Sequence, residues 1–278
     1  MISNRLTMLG TGSAFPTQSY HSCFLLQCGN DSLLADGGGG MEILHRLGQA
    51  GMSPAGLHHM FVSHVHTDHI FGAVWVIRRV LQLSLENSYE GTLQVLGNAE
   101  VTAAIQTICR LTLLPAYTER MQSVVRLTTV SPGDTAQIGS ISLRFIDACS
   151  RGCTQTGFVA TLPDGITLGF LGDESLTGRN LQQVSGIDYL VCGAYCSYAD
   201  RDIFHPYEKH HHTVRDVARE AAEAGVGNLI LCHCEDRDPE SRPRLYATEA
   251  SEFFRGPVMT PADMDVIELT DGRQNSLV

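Results

Sequence analysis

Residues 63–69 read Ser-His-Val-His-Thr-Asp-His and place four potential metal ligands within six positions. The apolar stretch at residues 59–63 is typical of a short strand, and residues 70–85 have the apolar spacing of a helix. The segment therefore joins a strand to a helix, as in α/β folds. Its potential ligands are His64, His66, Asp68 and His69.

The spacing within this segment predicts a site for two metal ions. His64 and His66 are two positions apart at the end of an extended strand, so their imidazoles leave the same face and can bind one ion. Asp68 and His69 lie past the turn, where a reversed chain can direct them to a second ion. One such histidine alone would be typical of a solvated loop, but the whole set indicates a metal site.

Strands and helices also alternate along the rest of the chain. No repeat, low-complexity tract or linker divides the sequence. We therefore predict a single α/β domain over residues 1–278, built from two sheets with helices outside. The other predicted strands are residues 6–9, 23–27, 32–35, 92–96, 141–146, 157–161, 167–171, 189–191 and 229–232, and the other predicted helices are residues 41–51, 99–113 and 214–224.

The net charge and the cysteine content indicate which partners and which cellular compartment to expect. Nineteen basic and thirty acidic residues give a net charge of −11, which repels polyanions and makes nucleic acid an unfavourable partner. No stretch approaches the roughly eighteen apolar residues that a membrane span needs, and no signal peptide is evident, so we expect a cytoplasmic protein without a membrane partner. Nine cysteines, an odd number, are typical of reduced thiols or metal ligands rather than a disulfide framework.

Further segments accompany the HxHxDH signature in a defined order. They are residues 9–17 (Leu-Gly-Thr-Gly-Ser-Ala-Phe-Pro-Thr), 36–38 (Asp-Gly-Gly), 170–173 (Phe-Leu-Gly-Asp), 211–213 (His-His-Thr) and 229–233 (Leu-Ile-Leu-Cys-His). Over nearly its whole length the chain resembles the metallo-β-lactamase fold superfamily, specifically its ribonuclease Z-like branch. The resemblance implies an αββα four-layer sandwich with two mixed β-sheets flanked by helices. It also implies hydrolysis with two divalent metal ions, usually zinc but also manganese or iron, and a homodimer.

The positions of several single residues, together with this resemblance, predict their roles. Asp173 follows a strand and a glycine, where a carboxylate can bridge two cations. His233 ends an apolar strand at the edge where α/β proteins place ligands, and it matches the last metal ligand of the family. Asp36 precedes four glycines and is expected to orient a ligand imidazole from outside the metal shell, unless it is a plain turn residue. The resemblance makes His211 catalytic beside Asp68, in contact with the oxyanion or the leaving group of the substrate.

The sequence departs from the family at one ligand position. The family supplies a further histidine between HxHxDH and the bridging aspartate, but residues 72–204 contain no histidine. Cys149 stands at the equivalent place and is predicted to bind metal, because a thiolate is a good zinc ligand. Cys153 and Asp147 compete with it for this role. A weakened site, in which Cys149 is an ordinary buried thiol, also fits the sequence.

The resemblance predicts a hydrolase in which a metal-bridging hydroxide attacks a small phosphodiester. A tRNA 3′-processing ribonuclease Z is a second candidate, but residues 192–195 (Cys-Gly-Ala-Tyr) lack the acid of that class, and the interval from Cys149 to Asp173 is too short for its tRNA-binding arm. The same residues are compatible with a hydrolase of lactones, thioesters or sulfate esters, with an iron-dependent oxidoreductase acting on sulfur compounds, and with a metal-binding sensor without turnover.

Overall fold

Two seven-stranded mixed sheets face each other across a shared apolar layer. The computed structural model describes residues 4–271. The strands, in chain order, are β1 (Asn4–Gly10), β2 (Cys23–Cys28), β3 (Asp31–Ala35), β4 (His59–Val62), β5 (Leu93–Gly97), β6 (Val125–Thr129), β7 (Thr135–Ile138), β8 (Ile141–Asp147), β9 (Thr156–Thr161), β10 (Thr167–Phe170), β11 (Tyr189–Gly193), β12 (Asn228–Cys232), β13 (Val258–Met259) and β14 (Val266–Glu268). The helices are α1 (Glu42–Gln49), α2 (Thr67–Leu85), α3 (Ala99–Thr112), α4 (Pro115–Val124), α5 (Arg201–Phe204), α6 (Val214–Ala224) and α7 (Arg242–Ser251).

The two sheets share one pattern of strand pairing. The first has the order β14-β1-β2-β3-β4-β5-β6, and the second has the order β13-β12-β11-β10-β9-β8-β7. Each sheet combines an antiparallel part with a parallel part that contains the strand-to-helix connections. The carboxyl ends of parallel strands β4, β10 and β12 lead directly into the segments predicted to bind metal.

Alternating side chains divide the apolar residues among three layers. On β4, Phe61 points into the layer between the sheets, where its ring lies 5.8 Å from Phe145 and 5.1 Å from Phe158 between centroids. Its neighbours Met60 and Val62 point outward to the helices that cover the first sheet. Each fully buried side chain of this size contributes roughly 1.5–3 kcal/mol. Burial in these layers therefore stabilises the predicted order of helix, sheet, sheet and helix.

Helix α2 begins earlier than the apolar periodicity indicates. Its first residue is Thr67, with His66 as N-cap, so Asp68 and His69 lie in the first helical turn. Asp68 and His69 thus lie past the turn that follows β4, as predicted, but inside a helix that begins three residues before the predicted start at Ile70. The apolar pattern starts only at Ile70 because the first turn carries the polar side chains of the site.

Two glycines allow α2 to approach the segment that follows β3. The Gly37 N–H donates to the carbonyl of His69 at 3.0 Å, and the Gly72 N–H donates to the carbonyl of Gly38 at 2.8 Å. A Cβ atom on Gly72 would lie 1.7 Å from the carbonyl oxygen of Gly37, which no side chain can tolerate. The first turns of α2 are therefore held directly beside Asp36.

Within residues 4–271 no helix has both the length and the apolar character needed to cross a membrane. The predicted single domain covers residues 1–278, beyond the described range at both ends, and stays a prediction.

Candidate metal centre

One carboxylate oxygen lies at the centre of the predicted ligands. Asp173 Oδ2 is 3.6 Å from His64 Nε2, 3.9 Å from His69 Nε2 and 3.6 Å from His233 Nε2. These side chains come from the ends of β4, β10 and β12 and from the start of α2, so both sheets contribute. Gly193 on β11 permits this convergence, because a Cβ atom there would lie 2.1 Å from the carbonyl oxygen of Asp173.

The surrounding donors form two groups that lie next to Asp173, and Asp173 itself meets the same distance criterion with His64 and His69 and with His211 and His233. In the first group, one donor atom each from His64, His66 and Cys153 lies within 4.8 Å of the others. In the second group, Asp68, His69 and His233 satisfy the same criterion.

Short distances hold each group together. His64 Nε2 and His66 Nδ1 are 3.0 Å apart. Asp68 Oδ2 lies 3.2 Å from His69 Nε2 and 3.7 Å from His233 Nε2. The His64–His66 pair and the first turn of α2 thus lie close together beside Asp173.

Several of these donor atoms are buried and lack a hydrogen-bond partner among the described residues. They are His69 Nε2, Asp173 Oδ1 and both ring nitrogens of His233. Buried polar atoms are almost always paired, so a cluster of unpaired nitrogens and oxygens needs a ligand. Imidazole, carboxylate and thiolate donors suit zinc and related divalent cations. The residues present therefore fit a metal centre.

The charges of the cluster also suit cations. Burial alone would raise the pKa of Asp68, but the imidazoles of His233 and His69 outweigh it and hold this pKa far below its ordinary value. Asp173 behaves in the same way, with His64 and His233 as the main opposing groups. Burial lowers the pKa of His64 to about 4. Both carboxyls are thus ionised and His64 is neutral at neutral pH, which are the forms that bind metal.

Asp36 contacts the cluster from behind. Its Oδ1 accepts from the Ser63 N–H at 2.7 Å, and its Oδ2 accepts from the Ser63 hydroxyl at 2.8 Å. Oδ2 also lies 2.8 Å from His69 Nδ1. A carboxylate in this position fixes the ring so that the opposite nitrogen, Nε2, faces the ligand group. Burial of His69 lowers its pKa, but the Asp36 carboxylate outweighs this effect and raises the pKa well above its ordinary value, so a metal ion would bind this ring in exchange for its proton.

The two cysteines of the loop between β8 and β9 differ from the arrangement predicted. The Cys149 thiol lies 3.6 Å from the carbonyl oxygens of Asp147 and Arg179, outside both donor groups. The Asp147 carboxylate accepts from the Cys149 N–H at 2.7 Å. Cys153 is the thiol that lies beside His64 and His66, so we replace Cys149 with Cys153 as the proposed ligand. The loop is irregular, and sequence spacing could not decide which cysteine reaches the cluster.

Substitution of each cysteine by serine tests which of the two binds metal. Cys153→Ser is expected to weaken binding of one of two ions by at least about tenfold, because losing a ligand costs no less than losing an outer partner of a ligand. Cys149→Ser is the matched control and should retain wild-type metal content. Metal titration with a chromophoric chelator measures both, and a larger loss in the Cys149 variant would make Cys149 the ligand.

His211 lies at the edge of the cluster. Its ring centroid is 4.9 Å from that of His233, and its ring stacks on Tyr195 at 5.2 Å. Lys209 Nζ donates to the Tyr195 hydroxyl at 3.0 Å. Burial, and then His233, lower the pKa of His211 to about 3, so the ring is neutral.

The cluster opens into a cavity of about 410 Å³. This volume lies in the range of small-molecule sites. Phe15, Tyr195 and Lys209 line the cavity, and sequence reasoning missed all three as site residues. Two signals existed: Lys209 is the single lysine of the sequence, and Phe15 is a large apolar residue in the Gly-Thr-Gly-Ser loop. In the structure Phe15 is 92% exposed.

Comparison with known proteins agrees with this architecture. A family model described as "Anti-Pycsar protein Apyc1" matches residues 4–152. The ribonuclease Z of Mycobacterium bovis (strain BCG / Pasteur 1173P2) is 25% identical over 283 residues, covering 95% of this chain and 98% of that protein. The metallo-β-lactamase fold protein YhfI from Bacillus subtilis has a TM-score of 0.77 at 24% identity, covering 96% of this chain and 99% of its own. Zn²⁺-bound PqqB from Methylobacterium extorquens has a TM-score of 0.72 at 13% identity, covering 95% of this chain and 100% of its own. The predicted fold and the resemblance are confirmed.

Proposed function

This chain belongs to the family of the anti-Pycsar protein Apyc1 and has the metallo-β-lactamase fold, and from that premise we propose that it is a metal-dependent hydrolase of small phosphodiesters. The observation that carries the proposal is the position of Asp173 Oδ2 between two groups of metal-binding side chains. The proposal includes zinc as the ion and a homodimer as the assembly.

The donor groups support one assignment of the ligands. His64, His66 and Cys153 would hold one ion, Asp68, His69 and His233 would hold the other, and Asp173 would contact both. Two such ions, when bound, supply a water of lowered pKa as the nucleophile and polarise the substrate. The buried Asp36 keeps His69 in the orientation that this requires.

The surroundings of the cluster favour a small anionic substrate. The cavity of about 410 Å³ suits a small molecule. Lys209 brings a positive charge to a cavity that Asp68, Asp173 and Glu174 also line, and bound cations would offset these carboxylates. A phosphodiester is an anion and would be attracted to this charge, whereas an uncharged lactone or an uncharged thioester would not.

A screen on the metal-loaded protein tests the reaction class. Bis(p-nitrophenyl) phosphate, p-nitrophenyl sulfate, an aryl lactone and a thioester would be compared by kcat/KM. We expect saturable hydrolysis of the phosphodiester and the highest kcat/KM for it. A higher kcat/KM for the lactone, thioester or sulfate ester would overturn the choice of substrate.

His211 is expected to act on the leaving oxygen. Because its ring is neutral, it donates a hydrogen bond from a ring N–H to the oxygen that gains negative charge. Removing one such donor costs about 10²–10³ in kcat. His211→Ala should therefore show this loss on a diester with an alkyl leaving group, and a smaller loss with p-nitrophenolate, which needs little stabilisation.

The control for this variant is His45→Ala, an exposed position on α1. Metal content should be unchanged in both variants. Equal losses of kcat with both leaving groups would contradict the role of His211.

The likeness to ribonuclease Z reopens nucleic acid as a substrate. The M. bovis enzyme matches 95% of this chain at 25% identity. The net charge of −11 and the absence of an acid in residues 192–195 argue against RNA. Competition between bis(p-nitrophenyl) phosphate and a precursor tRNA decides between them: we expect the higher kcat/KM for the small diester, and the reverse order would make this chain a ribonuclease.

A further inference from the structure

A second cavity adjoins the metal centre. It has a volume of about 310 Å³ and shares Glu174, His210 and His211 as walls with the first cavity. Arg151 lines the second cavity, while its neighbours Ser150 and Gly152 line the first. The two cavities thus adjoin along these shared side chains, and a ligand that occupied both would extend past them.

Two arginines give the second cavity its charge. Arg151 and Arg179 line it, and both are exposed. Neither guanidinium forms an ion pair with a carboxylate anywhere in the described part of the chain, whereas Arg46 and Arg237 do so. The cavity thus carries two arginines against one carboxylate, that of Glu174, in a protein with a net charge of −11. They are available to an anionic ligand.

Polar groups without partners accompany these arginines. The Thr177 hydroxyl and His212 Nδ1 belong to residues that line the same cavity, and neither atom has a hydrogen-bond partner within residues 4–271. Burial lowers the pKa of His212, the Asp216 carboxylate opposes this shift, and Arg179 and Arg151 lower the pKa further. The carboxylate of Glu174 lines the same cavity, so an anionic ligand would lie nearer to the two arginines than to this wall.

We propose that this second cavity binds a phosphate group other than the one that is cleaved. This inference rests on the proposed function and narrows its substrate class to small phosphodiesters that carry a further phosphate, such as a nucleotide diester with a second phosphate on its sugar. Arginine guanidinium groups bind phosphate oxygens through paired, charge-assisted hydrogen bonds, and Arg151 and Arg179 offer such donors at this cavity.

Two substrates with the same reacting bond test the proposal. They are thymidine 5′-(p-nitrophenyl phosphate) and the same compound with a 3′-phosphate. For the metal-loaded Arg151→Gln/Arg179→Gln variant, KM for the 3′-phosphorylated substrate should rise about 10–100-fold, the effect of losing charge-assisted hydrogen bonds. KM for the other substrate should stay within about twofold. The matched control is Arg126→Gln/Arg244→Gln, two exposed arginines that line neither cavity.

The outcomes separate the subsite from the reaction. Equal KM changes for both substrates, or none, would overturn the second phosphate site while leaving the hydrolase intact. If neither substrate is cleaved, the proposed function fails, and calorimetric binding of the same two compounds to the wild type and the variants then tests the cavity alone. The site would be supported if the Arg151→Gln/Arg179→Gln variant bound the 3′-phosphorylated compound more weakly than the wild type did, with no such change for the other compound. Equal affinities of the wild type and this variant for the 3′-phosphorylated compound would refute it.

Discussion

Asp173→Asn is expected to lower phosphodiester hydrolysis by at least about a hundredfold and to leave the fold intact. The loss reflects the removal of the one carboxylate that faces both donor groups, at 3.6 Å from His64 and from His233. An amide binds a divalent cation more weakly than a carboxylate does, and removing one group that stabilises developing charge costs about 10²–10³ in kcat. Steady-state kinetics and metal analysis of the same preparation measure both effects.

A matched variant separates this effect from a general change of charge. Asp202 lies on α5, 80% exposed, and pairs only with Arg201 at 3.3 Å among the described ion pairs. Asp202→Asn removes the same charge and should retain full activity and metal content. Full activity in Asp173→Asn with unchanged metal content would show that Asp173 is a structural turn residue.

Gly72→Ala is expected to destabilise the protein by about 3 kcal/mol or more. The added Cβ atom would lie 1.7 Å from the Gly37 carbonyl oxygen, which is backbone and cannot move aside as a side chain would. Overpacking a well-packed site typically costs about 1–3 kcal/mol, and contact with backbone places this change at the upper end. Helix α2 must then shift from the segment after β3, and the contact between Asp36 and His69 is disturbed. The free energy of unfolding, measured with denaturant, and the metal affinity should therefore both decrease.

A second helical glycine provides the control for this substitution. Gly48 lies on α1, and a Cβ atom there would meet nothing within 4 Å. Gly48→Ala should be neutral or stabilising by up to about 1 kcal/mol, because alanine has the higher helix propensity. Equal stabilities for the two variants would mean that α2 does not depend on close approach at Gly72.

Local sequence predicted the parts of the site that depend on short spacing. The spacing of two positions from His64 to His66 predicted that both rings meet at one centre, and their nitrogens are 3.0 Å apart. Helix α6 begins and ends at the residues that its apolar periodicity indicates. Asp173 and His233 follow buried strands, and the parallel sheet brings their positions to one edge. In each case the position of the residue follows from the strand or helix that it belongs to or directly follows.

Features that depend on contacts between distant segments could not be predicted. The choice of Cys153 over Cys149 depends on an irregular loop, and Cys149 has a positive φ of 60° that no sequence pattern signals. The second cavity is lined by Arg151, Arg179 and the loop before α6, which lie far apart in sequence. Helices α4 and α7 were missed because few of their residues are buried, so their apolar periodicity is weak.

Metal stoichiometry tests the central claim most directly. Protein equilibrated with excess zinc and then freed of unbound metal would be examined by elemental analysis, alongside hydrolysis of bis(p-nitrophenyl) phosphate before and after chelation. The converging donors of Asp173 and its neighbours predict two divalent ions per chain, with activity lost on chelation and restored by the ions. Protein that retains no divalent ion, or that binds one iron per chain and consumes oxygen without cleaving any ester, would contradict this account.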